Sequence, residues 1–465
     1  MSFLASAFPL FLVITLAVYW LAHRHFSLQN TILLVASYVF YGWWDWRFLS
    51  LVIASTAIAY GAGLAIAATA DNGRRLAILW AGNGVLLGTL FFFKYFNFFV
   101  SSANHVLVHA GFPPSGAVIE IILPIGISFY TFQAISYLID IFRGDAEPEL
   151  NPINFAVFKA FFPQLVAGPI ERSGHLLKQF RQKRIVTPTD IRRALWLLCY
   201  GYFLKIGIAD VAAPVVNTAF SATQPFGWWT IIGTMLFTIQ IYADFHGYST
   251  IAKGIALLFG FDLVWNFRHP YFSASISDFW HRWHISLSSW LRDYLYIPLG
   301  GNRVGRLRNY VNLMTTMMLG GLWHGANWTF LAWGTLHGVA LCVNRAVGPH
   351  CPSGSMWRPA YWLLTLATVM AGWFLFRCQS LADVVGMLSA LGNMEWVPAH
   401  AAALKLLLVL ALQMMALELL EVVRRDRFGV LSLPAWPAAA IMAVMFLIAF
   451  ATTGTRDEQF IYFQF

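Results

Sequence analysis

Charge is what this sequence has least of. Only 11% of its 465 residues are Asp, Glu, Lys or Arg, against 59% hydrophobic. A soluble globular chain carries about a quarter charged residues, so that class is excluded. Paired cysteines are missing too: Cys199, Cys342, Cys351 and Cys378 stand far apart, which argues against a disulfide framework and for core or incidental thiols. No HExxH and no thiolate cluster appears, so the sequence offers no metal motif. A set formed by His281, His284 and His324 is the only zinc arrangement its histidines suggest. No 20-to-50-residue repeat and no low-complexity linker divides the chain, which is expected to form a single domain over 1–465. The net charge of +9 is spread through loops and does not point to nucleic acid.

What is present is apolar sequence in span-length runs. Crossing ~30 Å of hydrocarbon takes about 20 residues, and such runs recur from end to end. Residues 4–22 lack a basic leading region and are followed by many more spans, so they read as a first helix rather than a cleaved signal. Arg and Lys collect in alternate loops: Arg24, Arg74-Arg75, Arg143, the run from Arg172 to Arg193, Arg303 to Arg308, Arg345, and Arg424 to Arg427. Loops 102–118, 213–228 and 378–400 have none. Basic loops stay cytoplasmic, and twelve crossings satisfy the alternation. These are 4–22, 29–43, 48–69, 77–101, 119–141, 193–212, 229–244, 309–323, 327–345, 358–376, 401–423 and 433–452, with both termini extracytoplasmic. The fold class is an all-α polytopic membrane protein of about 11–12 transmembrane helices. Segments 152–169 and 250–262 read as re-entrant, and 270–300 as an interfacial helix rich in Trp and Tyr. The run 309–323 is too short for a bilayer, so its end at Trp323-His324-Gly325 should lie inside the protein.

Ionisable groups within such segments are costly and mark function by default. Three stretches hold most of them. DFWHRWHISLSSWLRDYLYIPLGGNR carries His281, Arg282, His284, Ser286, Arg292 and Asp293; GGLWHGANWTFLAWGTLHG carries His324, Asn327 and His337; QIYADFHGYSTIAKG carries Asp244, His246 and Lys253. A lone buried histidine is ordinarily a packing group. His324 departs from that: glycine follows it, Trp323 precedes it, Asn327 stands three residues on, and Gly325 removes bulk beside the imidazole. A buried neutral imidazole suits a general base.

LPIGISFYTFQAISYLIDIFRG (123–144), FFPQLVAGPIER (161–172), the Asp278–Arg303 stretch and WHGANWTFLAWGTLHG (323–338) together resemble the membrane-bound O-acyltransferase family. The likeness is to its bacterial branch, which serves alginate O-acetylation and teichoic-acid D-alanylation. It runs from about residue 30 to the C-terminus, with a motif-bearing core at 119–345.

The resemblance implies a helical bundle with funnels from both faces. His324 takes the place of the family's invariant histidine, and His284 that of a second one. It also implies an acyl group moved from a cytoplasmic donor, acetyl-CoA, to an acceptor across the bacterial inner membrane, with no tightly bound cofactor. A separate extracytoplasmic SGNH-type acetyltransferase and polysaccharide export machinery would be the partners, the polymer being alginate, cellulose or peptidoglycan. Arg282 and Arg292 either draw in CoA phosphates or simply follow the topology rule; Ser286, Asn327 and Asp244 are further donor- or substrate-side candidates.

Two motifs depart from the family pattern. DFSGYSD reads DFHGYST, bringing in His246 and Thr250, and FWRRWH has His281 at an arginine position.

The chain ends in FIYFQF, 460–465, which resembles the C-terminal hexapeptide of the companion protein in teichoic-acid D-alanylation. Transferred to this chain, Tyr462 is either an acyl-carrying nucleophile or an anchor for an apolar plug. A translocator or a non-catalytic scaffold would share the composition, but no two related halves are visible, and transporters usually show them.

Overall fold

The computed structural model describes all residues except 115, 117, 120, 167, 222–225, 349–350, 353, 453–459 and 462–465. The described residues form helices and connecting loops, without strands. Six helical stretches are long and apolar enough to cross a membrane by length and composition: Phe26–Ala68, Asn72–His109, Pro188–Ala219, Arg358–Arg377, Pro398–Arg424 and Ala435–Thr452. The first is two helices, Phe26–Asp45 and Leu49–Ala68, separated by the short turn Trp46–Phe48.

The chain forms two compact units. One comprises residues 1–191 with 255–264, the other 192–254 with 265–465. The first is held by an aromatic core in which Phe3, Phe8, Phe40 and Phe162 meet at ring-centroid distances of 5.2–6.0 Å. Several of its buried polar groups are matched to one another. Asn30 donates to Asn154 at 2.7 Å and to the Phe180 carbonyl at 2.9 Å, and Arg184 donates to Asn30. Glu171, with no exposed surface, accepts from the Val264 N–H at 2.7 Å and lies 2.8 Å from His175 Nδ1. The FFPQLVAGPIER segment holds one short buried helix, Phe162–Leu165, and ends in the Glu171 clamp.

In the second unit, several segments differ from expectation for definable reasons. The crossing at 229–244 and the re-entrant piece at 250–262 are largely one helix, Gly227–Leu258, 32 residues long. Glycine in this helix permits close helix contact: a Cβ on Gly247 would meet the Gly201 carbonyl at 2.8 Å, and the reverse holds for Gly201. The segment 270–300 is no interfacial helix. It folds into short helices, Ile276–Arg282 and Ile285–Leu291, followed by a π turn at Arg292–Tyr296. Its aromatics face inward, with Phe279, Trp283 and Leu287 each about 1% exposed. The helix expected at 309–323 starts earlier, at Arg306, and runs 19 residues to His324. Its end is buried as anticipated, Trp323 and His324 being 3% and 4% exposed.

Candidate functional site

Three histidines from three elements of the second unit converge in an aromatic cage. His324 closes the Arg306–His324 helix; His337 sits on the antiparallel Trp328–Val347 helix; His284 precedes the Ile285–Leu291 helix. The first two helices pack backbone to backbone, because a Cβ on Gly321 would meet the Phe330 carbonyl at 2.2 Å and one on Gly334 the Met317 carbonyl at 2.4 Å. Around His324 stand Trp323 and Trp333, each 5.1 Å away by ring centroid, and Phe376 at 5.3 Å. The His284 ring lies 6.4 Å from it. Trp333 also contacts His337 at 4.8 Å, so one indole bridges the two imidazoles. Gly325 does not open a path to the imidazole, as its sequence position suggested. The space a Cβ would take is filled by the Phe330 ring at 2.1 Å, so this glycine serves close packing.

His284 is held in an unusual backbone state, φ 42° and ψ 55°, a left-handed conformation rare outside glycine. Its surroundings enforce it. The Ile285 N–H donates to the Asn266 carbonyl at 2.8 Å, the Ser286 hydroxyl to Asn266 Oδ1 at 2.7 Å, and the Ser288 hydroxyl to the Trp283 carbonyl at 3.0 Å. Strain of about 1–3 kcal/mol persists only where such contacts over-determine it, and it clusters at functional sites. His284 has no exposed surface and lies outside the membrane-crossing helices; burial pushes its pKa down to about 3, so it is a neutral imidazole at neutral pH.

A cavity of about 470 Å³ lies beside this cage, with Trp280 in its wall. Its walls come from the same elements: Ser277, Trp280 and His281; Ile285, Ser288, Ser289 and Arg292; Thr316 and Met317; Leu341, Asn344 and Arg345. Helical spacing connects these walls to the histidines. Met317, Gly321 and His324 share one face, and at 1.5 Å per residue His324 lies roughly 10 Å beyond Met317. On the facing helix His337 is one turn beyond Leu341, and His284 directly precedes Ile285. Trp280, in the cavity wall, contacts His337 at 5.2 Å. Arg292 stands at the cavity with its guanidinium on Asp293 at 2.7 Å, and this hydrogen bond holds its pKa above the usual arginine value.

The remaining candidates are more dispersed. Arg282 pairs with Asp278 at 2.8 Å. Asn327 caps the Trp328–Val347 helix, accepting from the Thr329 N–H at 3.1 Å and donating to the Gln379 carbonyl at 2.6 Å, so its amide has a structural task. Asp244 is buried against Lys205 at 2.7 Å and accepts from the Ile461 N–H at 2.7 Å. Tyr462 lies outside the described residues. His281 sits in the cavity wall, not with His284 and His324, and among the described residues no three His, Cys, Asp or Glu are placed to hold a metal. Sequence reasoning missed Lys205, although a lone lysine in the apolar run FLKIGIA is itself a signal. It also missed Phe245 and Trp333, whose aromatic identity alone gave no reason to single them out.

A family model, that of the membrane-bound O-acyltransferases, matches residues 145–384. The chain is 44% identical over 374 residues to a probable alginate O-acetylase AlgI of Azotobacter vinelandii, covering 80% of this chain and 74% of that one. It is 44% identical over 374 residues to the protein of the same description in Pseudomonas aeruginosa, covering 80% and 71%. With a peptidoglycan O-acetyltransferase of Helicobacter pylori it shares 34% identity over 397 residues, covering 78% and 74%. The match takes in the caged histidines and every wall of the cavity, and the chain belongs to the membrane-bound O-acyltransferase family as a multi-pass membrane acyltransferase.

Proposed function

We propose that the protein takes acetyl from cytoplasmic acetyl-CoA and passes it across the bacterial inner membrane for O-acetylation of an exported polysaccharide of the alginate class, with both termini extracytoplasmic. The observation that carries this reading is the cavity whose three walls each lead to a histidine of the cage. Its volume and mixed lining suit the pantetheine arm of CoA. The nucleotide phosphates would remain outside, near Arg292 and Arg345, where guanidinium forks match phosphate oxygens.

In this reading the acceptor hydroxyl is that of Tyr462. A phenol with a pKa near ~10 needs a base at neutral pH, and His324 takes its proton as the oxygen attacks the thioester carbonyl. The tetrahedral intermediate collapses, the C–S bond breaks, and the CoA thiolate recovers the proton from the imidazolium. The products are an acetylated tyrosine and free CoA. A general base so placed contributes about 10²–10⁴-fold. His284, neutral and rigidly held, orients the donor or supports His324. The acetyl group then passes to the polymer through an SGNH-type extracytoplasmic acetyltransferase working beside the export machinery. The alginate O-acetylase relatives favour alginate over cellulose as the polymer.

Incubation with isotopically labelled acetyl-CoA, followed by peptide mass spectrometry, tests the carrier step. The label is expected on the peptide containing Tyr462 and absent from Tyr462→Phe, which also fails to acetylate polymer. Normal polymer acetylation by Tyr462→Phe would contradict the carrier role.

A further inference from the structure

We infer that Asp244 is a latch that captures the backbone of the C-terminal segment in a buried socket, making it a positioning residue for acyl transfer; the kinetic part of this inference rests on the proposed acceptor role of that segment. Asp244 is 2% exposed and Lys205 1%. Lys205 Nζ lies 2.7 Å from Asp210 Oδ1 and 2.7 Å from Asp244 Oδ1. Lys205 thus joins the two carboxylates in one ion cluster. The second oxygen of Asp244 receives the Ile461 N–H at 2.7 Å, a charge-assisted hydrogen bond from the backbone. The segment therefore supplies a backbone donor to the ion cluster.

The side chains complete the socket. Phe460 is 2% exposed and Ile461 4%. The Phe460 ring packs on Tyr248 at 4.5 Å and on Phe245 at 5.8 Å. Asp244, Phe245 and Tyr248 share the Gly227–Leu258 helix, with Asp244 and Tyr248 four residues apart on one face. The opposite contact of Phe245 is the His284 ring, at 4.6 Å. One helix thus grips the C-terminal backbone through residue 244 and touches the histidine cage through residue 245. A carboxylate reading a backbone N–H is indifferent to the side chain at 461, whereas the Phe245–Tyr248 surface selects an aromatic at 460.

Asp244→Asn is a mild probe, because Lys205 keeps Asp210 and the remaining pair is neutral. Ile461→Pro removes the captured N–H together with the buried Ile461 side chain, and Ile461→Ala, which keeps the N–H, controls for loss of the side chain. Asp210→Asn leaves the Lys205–Asp244 pair intact and serves as the control. The full-length protein in lipid nanodiscs is assayed for hydrogen exchange of C-terminal peptides and for acetyl-transfer kinetics with acetyl-CoA. Asp244→Asn and Ile461→Pro are expected to accelerate exchange in the C-terminal peptides. Both should lower kcat roughly 100-fold, the scale of loss when a reacting group is misplaced by about 1 Å, with the KM for acetyl-CoA unchanged. Asp210→Asn should match wild type in both readouts. Wild-type exchange in both Asp244→Asn and Ile461→Pro would overturn the latch. Accelerated exchange with undiminished kcat would confirm the latch and overturn the carrier role of the segment instead.

Discussion

Two histidine environments, one in each unit, show how different surroundings look at atomic level. In the first unit His175 lies against the Glu171 carboxylate at 2.8 Å, and the same carboxylate accepts the Val264 N–H. One carboxylate thus joins two partners, an arrangement that holds a loop in place. In the second unit His324 is ringed by Trp323, Trp333 and Phe376, and its neighbour His284 is kept in a left-handed backbone state. Aromatic rings form the walls around this imidazole. A cavity lies beside the second environment, lined by the elements that carry its histidines. In the first environment the histidine–carboxylate contact works as a fastener, and in the second the caged histidines are the candidates for chemistry.

Three substitutions sharpen that contrast, ordered by their expected effect on transfer. Thr316→Trp fills the cavity at the level of Met317 and is expected to reduce acetyl transfer at least 100-fold while the cage stays intact; labelled acetyl-CoA binding to the purified protein should vanish in parallel. Arg292→Ala removes a guanidinium at the cavity and should raise the KM for acetyl-CoA about tenfold, equivalent to ~1.4 kcal/mol, with kcat unchanged in steady-state assays. Glu171→Gln strips the charge from the fastener. It should lower stability by about 1–3 kcal/mol, read as a reduced thermal midpoint in detergent, yet leave kcat per folded molecule at the wild-type value. A fall in kcat for Glu171→Gln equal to that of Thr316→Trp would erase the distinction between the two regions.

The all-helical membrane architecture was legible because hydropathy and basic loops respond to the bilayer directly. So was the buried end of the Arg306–His324 helix, since a short apolar run capped by Trp-His-Gly has few other places to go. Other elements were not legible, for physical reasons. Gly247 and Gly254 look like helix breakers in sequence, but they let the Gly227–Leu258 helix lie against its neighbours. The tryptophans and tyrosines of 270–300 have the composition of an interfacial anchor, and only tertiary packing turns them inward. Gly325 suggested open space beside His324, which depends on whether a distant side chain fills it, and Phe330 does. The partnership of Lys205 and Asp244 spans 39 residues of sequence, beyond the reach of any periodicity.

His324 is the proposed base, beyond the Met317 wall of the cavity. Single-turnover transfer of labelled acetyl from acetyl-CoA, measured side by side for wild type and His324→Ala in nanodiscs, tests this most directly. Transfer by the alanine variant is expected to fall at least 100-fold, with acetyl-CoA binding and thermal stability preserved. Wild-type transfer rates in His324→Ala would contradict the account.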